Sequence, residues 1–323
     1  MKSRFLLTSL ALVTLALAGW HRQLSYGFHV LLRHGGTYWI DVAPDSPRLS
    51  RSMRLALRDA PDATPGDFAW QSIAPGFDVA DLPVSASDEI VDHILLARID
   101  PARYRFVLRN APAGDRNLDD WMTQLDAALV VNGSYFTRTG EPDTPVLSDG
   151  VPLGPSDYDA KAGAFVAGDG FAGIRDLAGQ DWRSAFRGAD NATVSFPLLV
   201  AEGENRVKRE SNWLANRSFV GQDSAGRVLI GTTTDAFFSL GRLAKFLLQA
   251  PLDLTSALNL DGGPVACQGI ALNGYRRMSY GRWEAQTEGG QVRLLTWPYG
   301  SVAMPVVLAV LPMGDGALPG GKP

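Results

Sequence analysis

Short apolar runs separated by turn residues fill the chain from residue 89 to residue 311, and this alternation limits the choice of fold most strongly. Runs of about four to eight residues bounded by Gly, Pro, Asn and Asp are typical of strands. Two stretches differ, because residues 118–125 and 240–247 place apolar side chains on one helical face behind the capping residues Asn117 and Ser239. The pattern predicts a β-rich domain with two amphipathic helices whose apolar stripes belong to the core.

The local patterns also predict how some strands are connected. Residues 216–234 have the pattern of a hairpin with its turn at residues 224–226. Residues 89–99 and 104–108 are separated by a short turn at Asp100, so we expect two adjacent strands there. Pro197 interrupts the apolar run 194–200, which places an edge, a bulge or a strand start at that point.

The N-terminal residues have the pattern of an export signal. Lys2 and Arg4 precede an apolar run from Phe5 to Ala18 that ends in an A-x-A sequence. The run is shorter than the roughly 20 residues of a membrane-spanning helix. We therefore expect cleavage after Ala18, with a membrane tether only if the signal stays uncleaved. The expected location is the periplasm or the exterior, and the presence of only one cysteine, Cys267, favours the periplasm.

The remaining chain divides into three predicted segments. Residues 19–88 are irregular and interrupted by prolines, and are expected to form an N-terminal extension of short strands and loops. Residues 89–312 form the main domain. Residues 313–323 are rich in glycine and proline and are expected to be a disordered tail.

Composition disfavours several classes of function. The formal net charge of −4 argues against a nucleic-acid partner, which needs a basic face, but leaves a local basic pocket open. All 4 histidines lie at or before His93, which disfavours a Ser-His-Asp triad or a histidine-ligated zinc in the main domain. A lone cysteine such as Cys267 is more often a small buried apolar residue than a nucleophile. The sequence requires no cofactor and leaves a divalent cation open.

Two apolar runs end abruptly in a polar residue followed by glycine. Asn-Gly-Ser at residues 132–134 ends one run, and Asp-Gly-Gly at residues 261–263 ends the other. Each run follows one of the two predicted helices. Such a turn can simply close a buried strand. Alternatively, the glycines allow close approach of a ligand to a polar group presented at the mouth of a pocket.

Five short segments carry a resemblance to a known family. They are Asn-Gly-Ser-Tyr-Phe at 132–136, Asp-Gly at 149–150, Ser-Phe-Pro-Leu-Leu-Val at 195–200, Asn-Arg-Ser-Phe-Val-Gly at 216–221 and Leu-Asn-Leu-Asp-Gly-Gly at 258–263. In this order they resemble the phosphodiester glycosidase family over residues 89 to 311, roughly. The resemblance implies an α+β domain with a mixed, strongly curved sheet and packed helices. It also implies cleavage of a glycosidic bond whose leaving group is a phosphate ester, as in the family member that removes N-acetylglucosamine from mannose 6-phosphate diesters.

The chemistry of such a bond suggests roles for three side chains. A departing phosphate monoester is a weak base and needs little proton donation. The site needs a cation for the phosphate and a carboxylate that faces the oxocarbenium-like centre or activates water. Arg217 suits the first role and Asp261 the second, while the amide of Asn132 suits sugar hydroxyl or acetamido groups. Further candidates for substrate binding are Gly133, Ser134, Gly262, Gly263, Asp149 and Asp235.

Each of these positions also has a structural interpretation. Arg217 could pair with an acid on a neighbouring strand, Asn132 could be satisfied by backbone in a turn, and loop aspartates are often turn formers. The glycines at 262 and 263 could offer backbone amides to a phosphate oxygen.

The chain departs from the family pattern at residues 264–267 and at Ser134, where glycine is common. These departures fit either an altered substrate or lost activity.

Two functions follow as hypotheses. The first is an exported hydrolase that cleaves a sugar 1-phosphodiester of the N-acetylglucosamine type in an envelope or extracellular glycan. The second is a protein of the same fold that binds anionic glycans without cleaving them, in polysaccharide assembly or export. In both hypotheses the partner is a sugar phosphodiester or an anionic glycan.

Overall fold

The structure is a computed structural model that describes residues 9–16, 39–58, 61–296 and 302–313. The predicted tail lies almost wholly outside these residues, and so does most of the predicted signal. Its residues 9–16 form a helix, α1, whose apolar side chains are exposed. Within the described ranges, no helix has the length and apolar character needed to cross a bilayer.

The two predicted helices are confirmed. The described helices beyond α1 are α2 (Arg51–Arg58), α3 (Leu118–Leu125), α4 (Trp182–Ala185) and α5 (Leu240–Gln249). Asn117 caps α3 by accepting hydrogen bonds from the backbone nitrogens of Asp119 and Asp120. Ser239 caps α5 by accepting from the nitrogen of Arg242. Both helices therefore begin where a side-chain oxygen satisfies free backbone donors.

The strands of the described residues form four sheets. Sheet I consists, in spatial order, of β14 (Glu204–Asn205), β13 (Leu198–Ala201), β18 (Leu254–Asn259), β16 (Ser218–Asp223), β17 (Val228–Thr233), β5 (Glu89–Ile99), β4 (Phe77–Ala86) and β2 (Thr64–Pro65), with β3 (Gln71–Ala74) also paired to β4. Sheet II consists of β20 (Tyr275–Ser279), β19 (Gln268–Leu272), β7 (Leu129–Asn132), β23 (Val306–Pro312) and β6 (Tyr104–Asn110).

Two smaller sheets complete the fold. Sheet III consists of β11 (Phe171–Asp176), β10 (Gly163–Gly168), β12 (Asn191–Ser195), β8 (Val146–Ser148) and β9 (Val151–Leu153). Sheet IV consists of β1 (Ile40–Val42), β22 (Gln291–Thr296), β21 (Trp283–Glu288) and β15 (Trp213–Ala215). A short 3₁₀ turn covers Gly263–Val265. The α+β class with a strongly curved, half-barrel sheet is confirmed.

The predicted adjacency of β5 and β6 is wrong. The edges of β5 pair with β4 and β17 in sheet I, so β6 finds no free edge there. It pairs instead with β23 in sheet II, far along the chain, with Leu308 opposite Leu108. The hairpin predicted at residues 216–234 is confirmed as β16–β17, and β13 starts directly after Pro197.

The N-terminal extension contributes strands to the main domain. The predicted boundary at Glu89 falls in the hairpin that joins β4 to β5, which pair over ten positions. Further upstream, Ile40 to Val42 pair with β22 in sheet IV. Residues before 89 therefore form parts of sheets I and IV.

The main core lies between the sheets and fixes the strand ends that later form the site. It joins residues of sheets I, II and III, including Leu129, Val131, Phe165, Val220, Leu258, Ile270 and Val310. Helix α5 packs its Leu243 and Phe246 on the other face of sheet I. Helix α3 packs Trp121 on sheet II, and the Trp121 indole donates to the carbonyl of Met304 at 2.8 Å. The helical stripes are thus core, as predicted.

Asp92 is a buried carboxyl group that holds the turn after β17. Its Oδ1 accepts hydrogen bonds from the backbone nitrogens of Thr234, at 3.0 Å, and Asp235, at 2.8 Å. Burial raises the pKa of Asp92 well above its usual range, and the nearby charge of Asp235 raises it further, while the backbone hydrogen bonds lower it. An acid whose pKa is raised on folding costs stability as pH rises above its unfolded value.

We predict that Asp92→Asn gains stability relative to the wild type as pH rises. The asparagine keeps the acceptor for the two backbone nitrogens and removes the buried charge. Below about pH 4 the carboxyl group is protonated in both states, so the difference is smallest there. Urea unfolding between pH 4 and about pH 8 measures it. A difference in unfolding free energy that is constant with pH would contradict the assignment.

Candidate functional site

The two polar turns predicted from the sequence lie side by side. Asn132 is the last residue of β7 in sheet II, and Asp261 follows β18 of sheet I by two residues. The Asn132 Nδ2 donates to the backbone oxygen of Asp261 at 2.7 Å. The backbone nitrogen of Asp261 donates to the oxygen of Gly133 at 3.0 Å. The ends of two sheets are thereby joined at the two candidate residues.

Asn132 has an unused acceptor in a buried position. Its side chain is 2% exposed, and among the described residues its Oδ1 finds no hydrogen-bond partner. A buried amide oxygen without a partner costs free energy, so such an atom is retained where a ligand or water can donate to it. The purely backbone-satisfied turn considered for Asn132 does not account for this oxygen.

Arg217 lies against the glycine that follows Asp261. Its Nε donates to the carbonyl of Phe238 at 3.3 Å and its Nη2 to that of Trp213 at 2.8 Å. Its Nη1 lies 3.3 Å from the position that a Cβ on Gly262 would take. The guanidinium is buried and its direction is set by two carbonyls, so a positive charge is held next to the Asp261 turn.

Asp261 is buried, with 1% exposure, and its Oδ1 accepts from the Gly262 nitrogen at 2.8 Å. The nitrogen of Gly263 donates to the backbone oxygen of Asn216 at 2.9 Å. Both glycine amides are therefore already donating to protein oxygens. The predicted role of these glycines as amide donors to a phosphate is not what their geometry favours. Their lack of side chains instead lets Arg217 and a second acid approach.

That second acid is Glu284, which the sequence analysis missed. It lies on β21 in sheet IV, is buried, and accepts from the indole nitrogen of Trp213 at 2.9 Å. Its Oε2 lies 2.5 Å from the position of a Cβ on Gly263. Glu284 is opposite Ala215 across sheet IV, a pairing that no local pattern reveals. The sequence signal that could have indicated Glu284 is an acidic residue between Trp283 and Ala285 within a strand.

We call Asn132, Arg217, Asp261 and Glu284 the central cluster. Asn216 holds its parts together. The Asn216 Oδ1 accepts from the backbone nitrogens of Arg282 and Trp283, both at 2.9 Å, at the start of β21. Its Nδ2 donates to the oxygen of Thr233 at 3.1 Å. One buried side chain thus connects the segment before β16 to β17 and to β21.

Ser134 and Gly133 have structural contacts. The Ser134 hydroxyl lies 2.9 Å from the Thr144 hydroxyl and 2.8 Å from the Thr193 hydroxyl, inside a buried network. A Cβ on Gly133 would lie 2.6 Å from the Cγ1 of Val306. The structure therefore explains both residues by packing close to the central cluster, and their predicted role in binding stays a prediction.

Asp149 lies away from the central cluster. Its carboxylate pairs with Arg109 at 2.8 Å and accepts from the amide of Asn191, the first residue of β12, at 3.1 Å. Burial raises the pKa of Asp149, but the Asn191 bond and the Arg109 pair outweigh it and lower the pKa. The last residue of β12, Ser195, donates to the oxygen of Asn259 beside the central cluster. At about 3.3 Å per residue the two strand ends are about 13 Å apart.

Asp235 is a turn residue. Its Oδ1 accepts from the Ser50 hydroxyl at 2.7 Å and from the Ala236 nitrogen at 2.6 Å. Its carbonyl accepts from the Asn216 amide at 3.2 Å. The contacts of Asp235 therefore fit the turn-forming alternative, with a positional link to the central cluster through Asn216.

Cys267 is unsuited to nucleophilic chemistry. It is fully buried, and burial raises the pKa of its thiol to about 12, so the thiol is protonated at neutral pH. Among the residues that the structure describes, no three His, Cys, Asp or Glu side chains gather as metal ligands would.

The family profile of the phosphodiester glycosidases matches part of the chain, from residue 126 to residue 267. This segment contains a phosphodiester glycosidase-like domain. It includes Asn132, Arg217 and Asp261, whereas Glu284 lies beyond its end. The sequence resemblance at residues 132–136 and 258–263 is confirmed.

A solved structure at low sequence identity shares the fold of this chain. The catalytic domain of zebrafish N-acetylglucosamine-1-phosphodiester alpha-N-acetylglucosaminidase, auto-inhibited by its pro-peptide, is 18% identical, with a TM-score of 0.51 over 87% of this chain and 91% of that chain. A hypothetical protein from Synechocystis is 14% identical, with a TM-score of 0.45 over 72% of this chain and 64% of that chain. No curated protein sequence matches the chain significantly.

We predict that Gly263→Ala displaces Glu284 and destabilises the fold. Gly263 has a φ of +72°, and its Cβ would lie 2.5 Å from the Glu284 carboxylate. Gly274→Ala is the matched control, because Gly274 has a φ of +80° with open space around it. The control should lose about 1 kcal/mol of unfolding free energy from backbone strain alone, and Gly263→Ala about 3 kcal/mol.

Urea unfolding gives these free energies, and near-ultraviolet circular dichroism reports the packing of the aromatic side chains, among them Trp213, the hydrogen-bond partner of Glu284. Only Gly263→Ala should change that spectrum. Equal losses of stability in the two variants, with an unchanged spectrum, would show that the Gly263 contact with Glu284 does not constrain the site.

Proposed function

We propose that this protein is a hydrolase that cleaves the glycosidic bond of a sugar 1-phosphodiester. One observation carries the proposal: Arg217 lies against Gly262 and Glu284 lies against Gly263, the two glycines that directly follow Asp261. One buried cation and two buried carboxylates are thereby brought to a single turn. The phosphodiester glycosidase-like domain at residues 126–267 supports this chemistry.

Arg217 binds the phosphate of the substrate in this proposal. A phosphodiester carries one negative charge, and the phosphate monoester that leaves gains a second. A guanidinium held in place by two backbone carbonyls stabilises that added charge without reorganising during the reaction. Arginine also matches phosphate oxygens with two parallel hydrogen bonds, which a lysine cannot do.

The two carboxylates supply the remaining roles. Asp261 faces the oxocarbenium-like centre of the sugar, and Glu284 activates the attacking water. Because the leaving phosphate is a weak base, neither carboxylate has to donate a proton to it. The unused Oδ1 of Asn132 accepts a hydrogen bond from a sugar hydroxyl or acetamido group.

We further propose that the substrate is a glycan of the cell envelope or exterior, with N-acetylglucosamine as the sugar. The zebrafish enzyme is named for a phosphodiester of this sugar, which supports the choice. Export is supported by the residues before Ala18 and by α1, whose Leu10, Val13 and Leu15 project from the described structure with more than half of their surface exposed. No cofactor enters the proposal.

We predict that Asp261→Asn lowers kcat by roughly 10³-fold, because the amide cannot stabilise a positive sugar centre. Asp223→Asn is the matched control. Asp223 is equally buried, lies at the other end of β16 from Arg217, and pairs with Arg227 at 2.7 Å. It should keep kcat within about twofold. Arg217→Ala should lower kcat/KM by about 100-fold, since the phosphate loses its cation.

Release of N-acetylglucosamine from a panel of alkyl N-acetylglucosamine 1-phosphodiesters measures these effects. Near-wild-type turnover by Asp261→Asn would remove Asp261 from the mechanism. Intact substrate throughout the panel, together with measurable binding of anionic glycans, would replace the hydrolase by the glycan-binding function.

We predict that export removes the first 18 residues. Expression of the full chain in a Gram-negative host, followed by mass spectrometry of the periplasmic protein, should give a mature N-terminus at Gly19. Ala18→Arg should block processing, because the cleavage site requires a small residue, whereas Leu17→Ile should be processed normally. A full-length chain in the periplasm would contradict cleavage after Ala18, and a chain confined to the cytoplasm would contradict the export signal.

A further inference from the structure

Two aromatic rings stack at the edge of the central cluster. The ring centroids of Tyr135 and Phe196 are 4.2 Å apart and their planes are inclined by 21°. Phe196 remains 42% exposed, although a large apolar side chain normally gains free energy by burial. We call these two side chains the aromatic platform.

The aromatic platform is held by hydrogen bonds from three segments. The Tyr135 hydroxyl donates to the Phe196 carbonyl at 2.7 Å. The amide of Asn259 donates to the Tyr135 hydroxyl at 2.9 Å and to the Phe196 carbonyl at 3.1 Å. The Asn259 nitrogen also donates to the oxygen of Pro197 at 3.1 Å. These bonds fix the backbone at Phe196, and stacking on Tyr135 holds its ring. The exposed ring is therefore a preorganised binding surface rather than a mobile surface side chain.

The aromatic platform is close to Asp261 along two chain segments. Asn259 precedes Asp261 by two residues, and Tyr135 follows Gly133 by two residues. Gly133 and Asp261 are joined by a direct backbone hydrogen bond. Two extended residues span about 7 Å. Asn259 and Tyr135 therefore each lie within about 7 Å of the hydrogen bond between Gly133 and Asp261.

The surroundings of the rings favour a sugar over a purely apolar ligand. A pyranose ring has apolar C–H groups on its faces and hydroxyl groups around its rim. The aromatic platform offers a flat apolar face, and the Tyr135 hydroxyl, the Phe196 carbonyl and the Asn259 amide form a polar chain along one side. Amphipathic rings are suited to ligands that are apolar on one side and wet on the other.

We propose that the aromatic platform binds the pyranose ring of the substrate by stacking its C–H face on Phe196. The proposal rests on the function proposed above, in which Asp261 and Arg217 act at the anomeric phosphate of the same sugar. The platform thus selects a sugar with an unhindered C–H face and orients its anomeric carbon toward Asp261. Phe196 is then a substrate-binding residue that contacts the ring, outside the groups that carry out the reaction.

The test uses the full chain, with N-acetylglucosamine 1-phosphate as the probe. Phe196→Ala should raise its Kd about tenfold, the loss expected for one stacking contact. Phe196→Trp keeps a flat face and should stay within about threefold of the wild type. Phe171→Ala is the matched control, because Phe171 is 38% exposed at the start of β11 in sheet III. Its Kd should be unchanged.

Titration calorimetry gives the Kd, and saturation-transfer difference NMR should show the strongest transfer to the protons on one face of the pyranose. Thermal unfolding confirms that each variant is folded. If Phe196→Ala does not fold, Phe196→Leu replaces it and should show the same loss, because leucine has no flat face.

The outcomes separate the two proposals. If sugar phosphodiesters are not hydrolysed but Phe196→Ala still weakens binding, the hydrolase proposal fails and the aromatic platform stands. If hydrolysis occurs and Phe196→Ala leaves both Kd and KM unchanged, the hydrolase stands and the platform is refuted. Absence of probe binding to the wild type, or an equal loss in Phe171→Ala, also refutes the platform.

Discussion

The hydrogen bond from the Asp261 nitrogen to the Gly133 oxygen is the contact on which the candidate site depends. It joins the end of sheet II to the segment that leaves sheet I, and the amide of Asn132 reinforces it by bonding the Asp261 oxygen. With these two ends joined, Arg217 from the start of β16 and Glu284 from sheet IV reach the same turn. The curved sheet thus brings strand ends that are distant in sequence together at Gly133 and Asp261.

The four side chains of the central cluster are polar and buried. Burying them costs desolvation free energy unless their atoms form hydrogen bonds or ion pairs. The indole of Trp213 pairs with Glu284, and the carbonyl of Phe238 pairs with Arg217. The Oδ1 atoms of Asn132 and Asn259 are exceptions, since neither has a hydrogen-bond partner among the described residues. A rigid, nearly satisfied network with an unused acceptor is the arrangement expected of a preorganised binding site, since fixed dipoles need no reorganisation when charge develops.

Local signals predicted the parts of this fold that depend on neighbours in sequence. The caps at Asn117 and Ser239 and the β16–β17 hairpin were readable because their physical cause lies within a few residues. The pairing of β5 and β6 was wrong, since β5 finds its partners in β4 and β17 and a short connecting turn carries no information about them. Glu284 was missed for the same reason: its place depends on register across sheet IV. The sequence also suggested Gly262 and Gly263 as amide donors, whereas the structure explains them by the room they leave.

The contribution of residues before 89 has a practical consequence for expressing the protein. A fragment that started at Glu89 would lose β4 and β1, leaving the long edge of β5 and the edge of β22 without partners. Unpaired edges are templates for intermolecular strand addition, so such a fragment is expected to aggregate. Loss of β1 would also remove one strand from sheet IV, which carries Glu284. A fragment for expression should therefore be longer than the segment that resembles the family and should keep β1 and β4.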